Sequence, residues 1–198
     1  MNKKGCLILG ITFIAFILII GIWITSIYNS LVSKEEFVKQ KWSQVENVYQ
    51  RRADLIPNLV NTVKGYAKHE KQTLTEVIEA RSKATSVNID ANNLSTQTIQ
   101  QFQSAQQGLS QALSKLMVVV ERYPDLKANQ NFMELQAQLE GTENRIAVER
   151  KRYNEAAQQY NTSIRRFPTV LIARMLGFKE YPYFKAEAGA EKAPEVKF

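Results

Sequence analysis

Residues 38–66 read VKQKWSQVENVYQRRADLIPNLVNTVKGY. Within that stretch Val38, Trp42, Val45, Tyr49, Arg52, Ile56, Leu59, Val63 and Tyr66 recur at alternating steps of four and three. The mean step is about 3.5 residues, the period of helices packed side by side. A strand would need apolar residues at every second position, and no such alternation is sustained. The rhythm continues outward through Thr73, Val77, Ala80, Ala84 and Val87. It returns at Ile99, Phe102, Gln106, Leu109, Leu113, Leu116 and Val120, and again at Phe132, Leu135, Leu139, Thr142, Ile146, Tyr153, Ala156 and Tyr160. Beyond residue 33 the chain is expected to be wholly helical.

Boundary chemistry divides this helical body. Ser33 with Glu36 has the spacing of a capping box, Ser95 suits an N-cap, and Asn131 with Glu134 suits the start of the last long helix. The polar run 88–93 reads as a connector, and Tyr123-Pro124-Asp125 ends the helix before it. Pro57 is the hard position, because a proline removes one helix hydrogen bond and crowds the carbonyl four residues back. The periodicity passes through it without changing phase, so one long kinked helix and two shorter ones both satisfy the pattern.

Upstream, residues 7–27 read LILGITFIAFILIIGIWITSI, and no charged side chain occurs from Gly5 to Ser33. Twenty-one helical residues rise about 31 Å, matching the ~30 Å hydrocarbon core of a bilayer. Leu7, Ile11, Phe16, Ile20, Trp23 and Ile27 are the expected lipid-facing residues, with Trp23 near the interface. The run is longer than a signal-peptide core and is followed by no small-x-small cleavage site, so it reads as an uncleaved anchor. Lys3 and Lys4 favour a cytoplasmic N-terminus, whereas Lys34, Lys39, Lys41, Arg51 and Arg52 pull the other way. Cys6 is the sole cysteine, which excludes an intramolecular disulfide.

The net charge of +7 suits a body held near anionic headgroups. The doublets Arg51-Arg52 and Arg165-Arg166 and the triplet Arg150-Lys151-Arg152 are interleaved with Glu46, Glu143, Glu149 and Glu155, the pattern of a solvated face; no nucleic-acid partner is expected. One histidine, His69, and no Glu-x-x-His pair argue against a metal site, and no phosphate-binding glycine loop is present. Catalysis, a cofactor and a small-molecule substrate are therefore not expected.

The residues around Pro57 also carry a resemblance. Residues 51–60 and 63–70 (RRADLIPNLV and VKGYAKHE) resemble the signature of the LemA family. So do residues 28–32 and 123–129, and the late stretch containing Phe167-Pro168, Leu171-Ile172-Ala173, Gly177-Phe178-Lys179 and Pro182-Tyr183-Phe184. The resemblance implies a single-pass bacterial membrane protein: an all-α chain in which an N-terminal transmembrane helix precedes an elongated antiparallel four-helix bundle. It implies no catalytic residues. On this basis Pro57 is taken as a break, giving soluble helices near 33–55, 57–87, 95–122 and 129–166. The expected organisation is a basic tip (1–4), an anchor (5–30), a bundle (31–167) and a tail with a short helix (168–198).

Two groups of residues are singled out. Arg52, Glu70 and Glu149 interrupt the apolar seam, and Arg52 is expected to pair with a seam carboxylate and so fix the helix register. Phe178, Tyr181, Tyr183 and Phe184, interleaved with Lys179 and Lys185, are expected either to meet the lipid interface or a membrane-embedded partner, or to fold back over one end of the bundle. The expected function is a non-catalytic, membrane-tethered scaffold or adaptor with unidentified protein partners, with a lipid-surface module as the alternative.

Overall fold

The computed structural model describes residues 3–87 and 89–185, with side chains from Gly10 onward. Its helices are α1 (Lys3–Tyr66), α2 (Lys71–Ser86), α3 (Thr96–Val120), α4 (Pro124–Lys127), α5 (Gln130–Arg165) and α6 (Thr169–Met175), with a 3-10 turn at Ala91–Asn93. Among the described residues there is no strand.

Two of the expected boundaries are corrected. The anchor and the first soluble helix form one uninterrupted α1, and Ser33 does not cap anything. Its hydroxyl donates to the carbonyl of Asn29 within the helix at 2.9 Å. No proline or glycine occurs between Tyr28 and Glu36 to stop the propagation. Pro57 likewise lies inside α1, and the chain turns only at residues 67–70.

The carbonyl that Pro57 leaves without an amide donor is that of Ala53. Arg81, on α2, donates its Nε–H to that oxygen at 2.7 Å. A charged donor thus replaces the missing backbone bond, which explains how a proline costing about 3 kcal/mol in an ordinary helix interior is accommodated. Periodicity ran through Pro57 because the helix does.

Contacts divide the chain into two compact units, Met1–Gln40 with Glu155–Tyr181, and Lys41–Asn154 with Pro182–Phe198. The second unit has a core shared by four helices: Ile56, Leu59 and Val63 from α1, Leu74 and Val77 from α2, Leu109, Leu113 and Leu116 from α3, and Phe132 and Leu139 from α5. These are the seam positions of the 3.5-residue rhythm. Ser95 caps α3 in a capping box with Thr98, satisfying two amides at that end. At α5 the cap falls two residues earlier than the sequence suggested: Asn129 Oδ1 accepts from the Phe132 amide at 3.1 Å, and Asn131 lies within the helix.

In the first unit the buried residues include Leu31 and Val38 from α1, Tyr160 and Ile164 from α5, and Ile172 and Ala173 from α6. The apolar run of α1 is exposed, with Ile11, Phe13 and Ile22 at 59, 65 and 71 %. Phe16, Ile20 and Trp23 are exposed as well, Ile27 is half-buried, and the Leu7 side chain lies outside the described residues. Helix α6 ends on Gly177 at φ +79°, with Phe178 N–H bonded to Ala173 O and Gly177 N–H to Arg174 O. That is the Schellman arrangement, and the left-handed residue it needs is a glycine.

Candidate functional site

Arg52 is 1 % exposed and forms the hub of the second unit. Its Nη1 donates to Glu143 of α5 and to Ser110 Oγ of α3 at 3.0 Å, while its Nη2 donates to Gln106 Oε1, also on α3. Gln106 in turn donates to the Ala84 carbonyl at the end of α2 at 3.2 Å. One guanidinium therefore links α1, α3 and α5 directly and α2 through one amide. The Tyr49 ring lies one turn before Arg52, 5.1 Å from its guanidinium carbon. Burial raises the Tyr49 hydroxyl above its ordinary value, opposed by Arg150 and Arg52.

The carboxylate that pairs with Arg52 is Glu143, which the sequence placed on a solvated face beside the seam residue Thr142. Glu70 and Glu149 are elsewhere. Glu70 sits at the turn before α2 and accepts from Arg122 Nη2 and the Tyr123 hydroxyl, each at 3.0 Å. Glu149 accepts from Arg152 one turn along α5 at 2.7 Å. Glu149 therefore has a donor on its own helix, whereas the donors to Glu70 come from just past the far end of α3 and the residue before α4. Beside Arg52 lies an open polar cleft of about 290 Å³ lined in part by Gln103, Gln107, Glu143 and Arg150.

Of the tail aromatics, Tyr181 and Phe184 are buried, as the fold-back alternative expects of them. In the second unit the Phe184 ring stacks on Trp42 (centroids 5.8 Å apart, 14° between planes) and meets Tyr153 edge-on at 5.4 Å. Asn154 clamps its backbone in both directions: Nδ2 donates to Phe184 O at 3.0 Å, and Oδ1 accepts from Phe184 N–H at 2.9 Å. The Tyr153 hydroxyl donates to Pro182 O at 2.9 Å, and Arg150 Nη2 donates to Lys185 O at 2.9 Å. The first unit repeats the device, with Asn161 donating to Tyr181 O at 2.8 Å and accepting from Tyr181 N–H at 2.9 Å. Tyr181 meets Tyr160 edge-on at 5.3 Å, and its hydroxyl donates to Glu35 at 3.4 Å. Burial, followed by the Glu35 charge, pushes both phenols well above the ordinary tyrosine range. Tyr183 is exposed, and Phe178 is half-buried with its ring 6.0 Å from that of Tyr28.

Sequence reasoning missed both clamps, although their signal is present: Tyr153-Asn154 and Tyr160-Asn161 repeat the same pair seven residues apart. Among the described residues no group of three or more His, Cys, Asp or Glu side chains is placed to hold a metal ion.

An exposed apolar helix that runs on into a buried helical core defines a membrane-associated, all-helical protein. The LemA family profile matches residues 41–198, and the chain belongs to that family. It is similar to magnetosome protein MamQ 2 of Paramagnetospirillum magneticum (30% identity; 83% of this chain, 66% of the relative). It is similar also to magnetosome protein MamQ of Magnetospirillum gryphiswaldense (28%; 79% and 64%) and to protein LemA of Metamycoplasma hominis (25%; 86% and 76%). The chain thus spans about two thirds of the length of the magnetosome relatives. None of these names denotes an enzymatic reaction.

Proposed function

We propose that the protein is a non-catalytic scaffold of the bacterial cell membrane, anchored by residues 7–27 and presenting an antiparallel four-helix bundle to protein partners. The observation that carries this reading is the continuity of α1, whose exposed apolar stretch passes without a break into the buried residues Trp42, Arg52 and Ile56. One helix thus carries both the apolar stretch and residues of the core, an arrangement that serves tethering rather than chemistry. The Arg52 hub supports it too: buried charge networks fix helix register at some expense of stability. Exposed apolar residues on three helices (Ile78 on α2, Val118 on α3, Met133 and Val148 on α5) are the candidate partner contacts.

The test is site-specific photo-crosslinking in living cells at each of those four positions, with exposed Lys83 as a control. Discrete adducts at the apolar positions and none at Lys83 support a scaffold. A chain that crosslinks nowhere on these helices has no partner there, and the reading fails. A second reading, membrane-surface binding, draws on another face, the exposed row Phe167, Leu171 and Met175 at and beside α6.

A further inference from the structure

The first unit contains a cleft of about 300 Å³ whose lining includes Trp23, Ser30 and Lys34 of α1, Ser163 of α5, and Arg166 and Thr169 at the junction before α6. No carboxylate lines it. Lys34 Nζ donates to Ser163 Oγ at 2.6 Å, which leaves two ammonium protons for another acceptor. Arg166 forms no ion pair among the described residues. The Ser163 hydroxyl itself donates to the Gln159 carbonyl at 2.8 Å, but Ser26, Ser30 and Thr169 line the cleft as well, so it offers a +2 charge with several short-range donors. That is the chemistry of a phosphate site.

Position along α1 selects the source of the phosphate. The apolar run ends near Ile27, and Lys34 is seven residues on, about 10 Å further along the helix axis. The headgroup layer is ~5–8 Å thick on each side of the hydrocarbon core, so Ser30 falls within it and the Lys34 backbone about 2 Å or more beyond it, a gap that a long lysine side chain spans. Trp23 lines the same cleft within the last turns of the apolar run, where indole rings favour the interface. The cleft therefore straddles the depth at which a phospholipid changes from acyl chain to phosphodiester.

Helix α6 supplies an independent observation. One side is buried through Ile172 and Ala173, yet Leu171 and Met175 on another are 62 and 71 % exposed, and Phe167 just before it is 81 % exposed. Arg174 and Lys179 flank this row. An apolar row edged by basic residues, beside the end of a membrane span, matches a helix lying in the interfacial plane. We propose that the cleft between Lys34 and Arg166 binds the phosphodiester of an anionic phospholipid, while Phe167, Leu171 and Met175 rest among its acyl chains. This rests on the reading of residues 7–27 as a membrane span.

The test uses the full chain in non-ionic detergent with phosphatidylglycerol and phosphatidylcholine supplied equally, the retained lipid being counted by native mass spectrometry. Two basic residues at a membrane surface favour an anionic lipid by about tenfold or more, and the double variant Lys34→Ala/Arg166→Ala should abolish that preference. Photo-crosslinking the unaltered chain with a diazirine-acyl phosphatidylglycerol should label residues 166–175. Equal retention of the two lipids, an unchanged preference in the variant, labelling elsewhere, or displacement by millimolar inorganic phosphate each overturns the proposal. Flotation with phosphatidylcholine vesicles separates the two readings. A chain that floats but shows no lipid preference lacks only the headgroup site, whereas one that fails to float also lacks the span.

Discussion

Arg81→Ala removes the Nε–H that stands in for the amide Pro57 lacks, and the consequence depends on which residue occupies position 57. In the natural chain the Ala53 carbonyl, buried at 2 % exposure, would lose a charged donor at 2.7 Å. Such bonds contribute about 1.5–3 kcal/mol, and an unsatisfied buried acceptor carries a similar penalty, so a loss of about 2 kcal/mol is expected. In a Pro57→Ala background the amide of residue 57 bonds the same carbonyl. Arg81→Ala then costs about 0.5 kcal/mol, mostly lost packing of its stem. The double-mutant cycle should therefore give a coupling of about 1.5 kcal/mol, with Pro57→Ala alone neutral or stabilising. Urea unfolding of the four full-length chains in detergent, followed by far-ultraviolet circular dichroism, measures it. Equal costs for Arg81→Ala in both backgrounds would refute the compensation argument.

Other consequences concern the hub, the clamps and pH. Arg52→Met should destabilise by about 3 kcal/mol, whereas Glu143→Gln, at a half-exposed site where water and Gln106 remain, should cost about 1 kcal/mol; denaturant midpoints decide the order. Asn154→Ala removes two backbone hydrogen bonds at Phe184 and should cost about 2 kcal/mol while exposing the tail to limited proteolysis before the helices unfold. Burial raises Tyr49, Tyr160 and Tyr181 above the ordinary tyrosine value of about 10, so the folded state holds protons that the unfolded chain releases. Their stabilising contribution is complete below pH 10 and is lost as pH rises beyond it, by up to ~1.4 kcal/mol per pH unit for each group. Absorbance at 295 nm should show these phenols ionising together with unfolding.

Much of the helical core was legible because one residue in every three or four must leave water, and that constraint prints itself on Trp42, Ile56, Leu109 and Tyr153 alike. Helix ends were less legible. Pro57 is a local signal, and the donor that answers it lies twenty-eight residues away on another helix. The turn at residues 67–70 carries no proline, and a tertiary contact from Tyr123 to Glu70 secures it. Arg52 was visible as a charge in an apolar seam, but its partner Glu143 was not, because one of its carboxylate oxygens reaches the guanidinium from a neighbouring, half-exposed position. The tail aromatics show the same limit. Composition alone left Tyr181 and Phe184 either interfacial or folded back, and only the paired asparagines on α5 show that their backbone is already held.

Helix α1 carries an exposed apolar stretch near its start and buried core residues near its end, and residues 7–27 are proposed to hold the chain in the membrane. Alkaline carbonate extraction of membranes containing the full chain, compared with a chain beginning at residue 31, addresses it directly. The full chain should remain in the membrane pellet, and the shortened chain should be released as a soluble, highly helical protein. Release of the full chain, or a shortened chain that loses its helical circular dichroism, would contradict it.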